Sequence, residues 1–135
     1  MRVLVTGSRD WLSRSTVWDA LGDLAESTGT APRDMVVVHG ACPTGADHDA
    51  WLWSMAVGAK NEPHEADWTQ HGRRAGPIRN RKMVRLGADL CLAFSRVCTS
   101  DRCEIIAVHG SHGTAGCIGL ARQWHIPVTI YTEGY

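Results

Sequence analysis

Three stretches of this sequence combine glycine with small hydroxyl side chains: Thr6-Gly7-Ser8-Arg9-Asp10, Gly40-Ala41-Cys42-Pro43-Thr44-Gly45-Ala46-Asp47 and Gly110-Ser111-His112-Gly113-Thr114. Glycine lets backbone N–H groups close on an anion, and a following helix N-terminus adds partial positive charge, so phosphate is the occupant such loops suit. A single loop of this kind is commonly just a tight turn, but three at one sheet edge favour a shared anion-binding crevice. The ligand-binding candidates are Gly7, Ser8, Arg9, Gly40, Ala41, Gly45, Asp47, Gly110, Ser111, Gly113 and Thr114. None of the loops has the Gly-x-Gly-x-x-Gly spacing of a dinucleotide fold or the lysine of a P-loop, so ATP hydrolysis by a P-loop mechanism is not expected.

Other residues carry two readings each. Arg9 follows the first loop, where it meets a ligand phosphate or simply faces solvent. His64, Ala66, Asp67 and Trp68 follow a weak strand, where the Trp68 ring either stacks on a base or fills a core edge. Cys98, Cys103, His109 and His112 place four zinc-type ligands in one short polar segment. Their spacing, Cys-x4-Cys-x5-His-x2-His, fits no standard finger, and a reduced surface pair of cysteines is the commoner meaning. No metal and no cofactor is expected.

The elements that must hold these loops are legible from apolar patterning. Val3-Leu4-Val5 and Met35-Val36-Val37-Val38 are short β-branched runs that each open into a glycine loop, as buried strands do. Helical spacing runs from Ser13 to about Glu26 and from Gly45 to Val57, and a weak strand lies near Lys60 to His64. Gly76-Pro77 begins a helix that reaches about Leu86, with Gly87 placed to end it. Ala88 to Phe94 is the next strand, and the short apolar run Ile105 to Val108 precedes the third loop. A helix from about Thr114 to Trp124 and a strand from Ile126 to Tyr131 complete the chain. Apolar strands alternating with helices predict a single α/β Rossmann-like domain spanning residues 1–135, with a doubly wound, mostly parallel sheet and helices on both faces. Ligands of such sheets bind beyond the carboxyl ends of the strands, where these loops fall.

Composition narrows the function classes. The length of 135 residues, 44% hydrophobic and 21% charged, suits one folded domain and excludes disordered and coiled-coil chains. No run of about eighteen apolar residues is present and the N-terminus turns polar at once, so no membrane association and a cytoplasmic location are expected. Five cysteines without dense spacing predict reduced thiols. A formal net charge of +0 argues against a general nucleic-acid partner. Six tryptophans in a small domain predict a homodimer or higher homo-oligomer.

Taken in order, Gly7-Ser8-Arg9, His39-Gly40-x-Cys42-Pro43-x-Gly45-Ala46-Asp47, Gly76-Pro77-x-Arg79-Asn80-x-x-Met83 and Gly113-Thr114 resemble the YspA-like, cpYpsA-related branch of the SLOG superfamily. That superfamily also holds the Lonely-guy phosphoribohydrolases, the DNA-processing protein DprA and sensor domains for NAD-derived signals. The resemblance implies a Rossmann-like fold and a nucleotide-type ligand, and adds Arg79 and Asn80 to the binding set. Arg79 with Met83 matches the Lonely-guy motif that supplies a catalytic arginine. At the second motif, Gly113-Thr114-Ala115-Gly116 leads to Cys117 where those enzymes carry glutamate. N-glycosidic cleavage uses a carboxylate to stabilise positive charge and position water, which a cysteine does not supply.

Asp47 is the remaining carboxylate, either binding a ribose hydroxyl or activating water, or simply stabilising a helix N-terminus. Arg79 has the alternative of a structural salt bridge, with Asn80 then only capping a loop. The leading expectation is therefore a protein that senses or sequesters a nucleotide or an NAD- or ADP-ribose-derived small molecule. The second is a nucleoside-monophosphate phosphoribohydrolase with Arg79 and Asp47 catalytic, and the third is DprA-like binding of single-stranded DNA.

Overall fold

The computed structural model describes residues 1–135 apart from Ile106. Five parallel strands form one sheet: β1 (Arg2–Gly7), β2 (Val36–His39), β3 (Lys60–Pro63), β4 (Leu90–Arg96) and β5 (Val128–Glu133), in the order β3-β2-β1-β4-β5. The chain builds outward from β1 to β3, then returns to the other side of β1 to lay down β4 and β5. The strand order thus reverses between β1 and β4, and the crevice beyond their carboxyl ends is where an open α/β sheet binds ligands.

Successive side chains of a strand point to opposite faces, and here both faces are apolar. Val3 and Val5 of β1, Val37 of β2 and Leu92 and Phe94 of β4 pack with Val17, Leu21, Ala46, Ala50 and Trp53 of α1 (Arg14–Thr28) and α2 (Gly45–Val57). Leu4, Val38 and Cys91 point the other way, against Met83 and Val84 of α4 (Ala75–Arg85) and Cys117 and Ala121 of α5 (His112–Gln123). A one-turn helix, α3 (Trp68–His71), precedes α4. The architecture is the doubly wound α/β arrangement the sequence predicts, with a sheet that is parallel throughout.

Local signals explain most boundaries. The Ser13 hydroxyl caps α1 by accepting from the Thr16 N–H at 3.3 Å, and α1 and α2 end on Gly29 and Gly58 in left-handed conformations. The short apolar run Ile105 to Val108 forms no regular element among the described residues: Ile106 lies outside them, Ile105 and Val108 are exposed, and neither belongs to a strand. Residues 97 to 111 instead leave the end of β4 and return to it, closed by an antiparallel bridge between Val97 and Gly110. The third glycine loop therefore reaches the carboxyl edge as the returning arm of this excursion. Among the described residues, no helix is long and apolar enough to cross a membrane.

Candidate functional site

β1 ends at the point of strand-order reversal, and Ser8, the next residue, ties the neighbouring elements together. Its N–H donates to the Phe94 carbonyl at 2.9 Å, and its hydroxyl accepts from the Arg96 N–H at 2.9 Å. Ser111 donates its hydroxyl proton to Thr114 at 2.8 Å, so the 2.7 Å contact between Ser8 and Ser111 is donated by Ser8. Three hydroxyls thus run as one chain from the first loop to the first turn of α5. The side chain of Ser111 makes no backbone capping bond, so the opening N–H groups of α5 remain directed at the crevice.

The second loop is held from behind. His39 is buried, and its Nδ1 accepts from the Ala41 N–H at 3.0 Å, which leaves Nε2–H to donate to the Asn61 side chain. Burial favours the neutral ring and lowers its pKa below the usual histidine value. That contact steadies Ala41 at φ 59°, a left-handed conformation that costs a non-glycine residue about 1–2 kcal/mol. From sequence His39 stands out only as part of the family motif; its signal is a polar ring at the carboxyl end of an apolar strand. Gly45, at φ 71°, brings the loop against the first one, and the Thr44 hydroxyl donates to the Arg9 carbonyl at 2.9 Å.

Arg79 of α4 and Asp47 of α2 meet at Gly40. The Arg79 guanidinium donates to the Gly40 carbonyl, to the His64 carbonyl at 3.4 Å and, through Nε, to the Asn80 side chain at 2.8 Å. These bonds use Nε and Nη1, while Nη2 has no protein partner among the described residues. The arginine is therefore oriented by carbonyls instead of being neutralised in a salt bridge. Asp47 is buried and accepts from the Cys42 N–H at 3.3 Å. Burial pushes its pKa up to about 6, against the opposing pull of the Cys42 and Gly40 N–H groups and of Arg79.

The cleft enclosed by these loops is open and has a volume of about 1250 Å³. Of the residues singled out from sequence, Gly7, Ser8, Arg9, Gly40, Ala41 and Asp47 line it from the first two loops. Arg79, Asn80, Ser111, Gly113 and Thr114 line it from α4 and α5. Gly45 and Gly110 do not; they work beneath it. A Cβ on Gly110 would stand 2.3 Å from the Ser95 hydroxyl and 2.5 Å from that of Tyr135, so this glycine is set by close packing. Arg73 adds a third arginine to the lining, one not singled out from sequence, and Glu65 adds a third acid beside Asp10 and Asp47. Trp68 stands at the rim, but the Arg9 guanidinium lies 4.9 Å from its ring centroid, so one ring face is already covered by a cation. His64 is tied to Glu62 at 2.9 Å, and Asp67 caps α3. Cys98, Cys103, His109 and His112 converge beside the cleft, with all four ligand atoms within 4.8 Å of one another.

The description "YspA, cpYpsA-related SLOG family" matches residues 1–71, which carry the first two loops and the strands beneath them. The chain belongs to this family. Its relatives include the Gene 61 protein of Mycobacterium phage D29, 45% identical over 137 residues that cover 98% of this chain and 97% of that protein. No solved structure matches significantly. For a SLOG protein, a nucleotide-related role is the expected setting, and Arg79, α5 and the third loop all lie outside the matched residues.

Two expected results follow from this geometry. A Cβ on Gly40 would lie 2.4 Å from Arg79 Nη1 and 2.9 Å from Asp47 Oδ2. The guanidinium is held by three acceptors and Asp47 is buried, so Gly40→Ala should displace Arg79 at a stability cost of about 1–3 kcal/mol in urea unfolding. The displacement should appear as a changed Arg79 Nε–H resonance in NMR spectra of the variant. For Asp47, the folded value of about 6 lies above the ordinary 3.8, so the folded state binds the proton more tightly than the unfolded one. That contribution is complete below about pH 4 and is lost as the pH rises through 6. Asp47→Asn, which never ionises, should gain up to about 3 kcal/mol over the parent above pH 7 and converge with it near pH 4 in urea unfolding.

Proposed function

We propose that this SLOG protein binds a phosphate-bearing, nucleotide-derived small molecule in the β1/β4 cleft and senses or sequesters it. The observation that carries this reading is the convergence of the Ser8–Ser111–Thr114 hydroxyl chain, the N-terminal turn of α5 and an Arg79 whose Nη2 has no protein partner among the described residues. The hydroxyl chain ends on Thr114, whose O–H donates to no protein group among the described residues, and with the α5 N-terminus and Arg79 it favours an anion in one volume. Small-molecule sites commonly measure about 300–1,000 Å³, so a cleft of about 1250 Å³ leaves room beyond a mononucleotide and suits an extended ligand of the ADP-ribose kind.

Binding without turnover is favoured by Cys117. The residue standing where the Lonely-guy enzymes carry a catalytic glutamate is fully buried beneath Thr6, and burial raises its thiol pKa. It offers a ligand neither a carboxylate nor a thiolate. One observation supports the phosphoribohydrolase reading instead: Asp47, pushed up to about 6 and lining the cleft with Arg79, has the proton affinity of a general acid or base. Incubation with the nucleoside monophosphates and chromatography for free base separates the two. Unchanged nucleotide is the expected result, whereas base release that disappears in Arg79→Ala would replace binding by catalysis.

A further inference from the structure

The excursion between β4 and α5 has little of its own to hold it together. Asp101, Arg102 and Glu104 are exposed, as are Ile105 and Val108, and its described residues form no helix or regular strand. An irregular segment this long in a compact domain needs either a disordered existence or a staple. It is pinned at its base, where the Val97–Gly110 bridge is extended by the Cys98 N–H donating to the His109 carbonyl at 2.7 Å and the Ser111 N–H donating to the Arg96 carbonyl at 2.9 Å. In that antiparallel register Cys98 stands directly opposite His109, and paired residues project to the same face. Cys103 approaches from the far turn, where its N–H donates to the Ser100 carbonyl at 3.2 Å, and His112 opens α5. Four residues of this one short stretch are thus delivered to one point.

Three of the ligand atoms have the separations of a coordination shell, and Cys98 Sγ lies within 4.8 Å of them. Cys103 Sγ lies 3.4 Å from His109 Nε2 and 3.3 Å from His112 Nε2, and the two Nε2 atoms are 3.2 Å apart. Metal–sulfur and metal–nitrogen bonds of about 2.3 and 2.0–2.1 Å at tetrahedral angles give edges of about 3.3–3.8 Å between ligands. His109 is also oriented as metal-bound histidines are, with Nδ1–H donating to the Ala107 carbonyl at 2.8 Å, so that in the neutral ring the Nε2 lone pair faces the sulfur and the second imidazole. Electron-rich atoms converging in this way are brought to terms by a cation.

We propose that Cys98, Cys103, His109 and His112 bind one zinc ion in a closed four-ligand site that fixes the 97–111 excursion as a wall of the cleft. Two thiolates and two imidazoles are the soft and borderline donors that select zinc over magnesium or calcium. Four protein ligands leave no open position, so the ion is structural. Thr99, Ser100, Ser111 and His112 line the cleft, so the staple sets the shape of that wall whatever ligand it faces.

The test uses the full chain without a histidine tag, purified under reducing conditions without chelator. Elemental analysis should find about one zinc per chain, and Cys103→Ser should lower that content at least tenfold. Because the variant alone could misfold, the parent protein is also stripped and reloaded with cobalt(II). Intense visible bands of a tetrahedral, thiolate-ligated ion, displaced by one equivalent of zinc, are the expected spectrum. A reduced, folded protein that takes up neither zinc nor cobalt overturns the proposal. So does an octahedral cobalt spectrum, or a native protein in which Cys98 and Cys103 are joined as a disulfide.

Discussion

Arg79→Ala is expected to weaken binding of ADP-ribose and nucleoside monophosphates by about 10- to 100-fold, the loss of one charge-assisted hydrogen bond to phosphate worth about 1.5–3 kcal/mol. The guanidinium is held before any ligand arrives, by the carbonyls of Gly40 and His64 and the side chain of Asn80. Little freedom is therefore left to lose when it meets an anion, which is why its contribution belongs at the upper end of that range. Arg79→Lys should not restore binding. A lysine keeps the charge but has no planar fork with which to hold three oxygen acceptors and still face the cleft. Because α4 is anchored by its buried Met83 and Val84 and not by the guanidinium, the fold should survive the alanine variant, and circular dichroism of parent and variant should coincide.

Gly45→Ala is expected to have the larger effect on stability, about 3 kcal/mol or more. At φ 71° an L-residue meets a left-handed penalty of about 1–2 kcal/mol. The added Cβ would also fall 2.2 Å from the Ser8 carbonyl oxygen and 2.7 Å from the Arg9 backbone. Both obstacles are main chain, so no side-chain rotation relieves them; either the first loop or the N-terminus of α2 must shift. A fall in the urea midpoint with an unchanged slope would register the strain, and ligand binding should fall with it because Ser8 is displaced.

What the sequence made legible divides along physical lines. β1, β2 and α2 are read within a residue or two because apolar period, glycine stops and chain length all agree there, and tertiary contacts only reinforce them. α5 begins at His112, two residues ahead of the expected Thr114, because Ser111 bonds to another hydroxyl instead of capping the backbone, so the usual cue is weak. The run from Ile105 to Val108 is apolar by composition, but an apolar run marks a buried strand only where the sheet covers it, and Ile105 and Val108 are exposed.

The site was legible as a set of loops and not as a set of contacts. Gly45 and Gly110 belong to the right loops but serve close packing, which only spatial neighbours reveal. The Ser8–Ser111 bond joins residues far apart in the chain, and the role of His39 depends on a backbone N–H two residues on. The Cys98–His112 cluster is the sharpest case. Its linear spacing matches no finger because the Val97–Gly110 bridge, and not a hairpin of fixed length, brings the ligands together.

The central claim is that an anionic nucleotide derivative occupies the cleft beyond β1 and β4. Amide chemical shifts of the isotopically labelled protein, followed by NMR during titration with ADP-ribose, test it most directly. Saturable shifts centred on Gly7, Ser8, Gly40 to Cys42 and Ser111 to Thr114 are the predicted result, since these segments line the cleft and the opening N–H groups of α5 carry no side-chain cap. Shifts confined to the opposite edge of the sheet, or none at millimolar ADP-ribose, AMP and NAD, would contradict it.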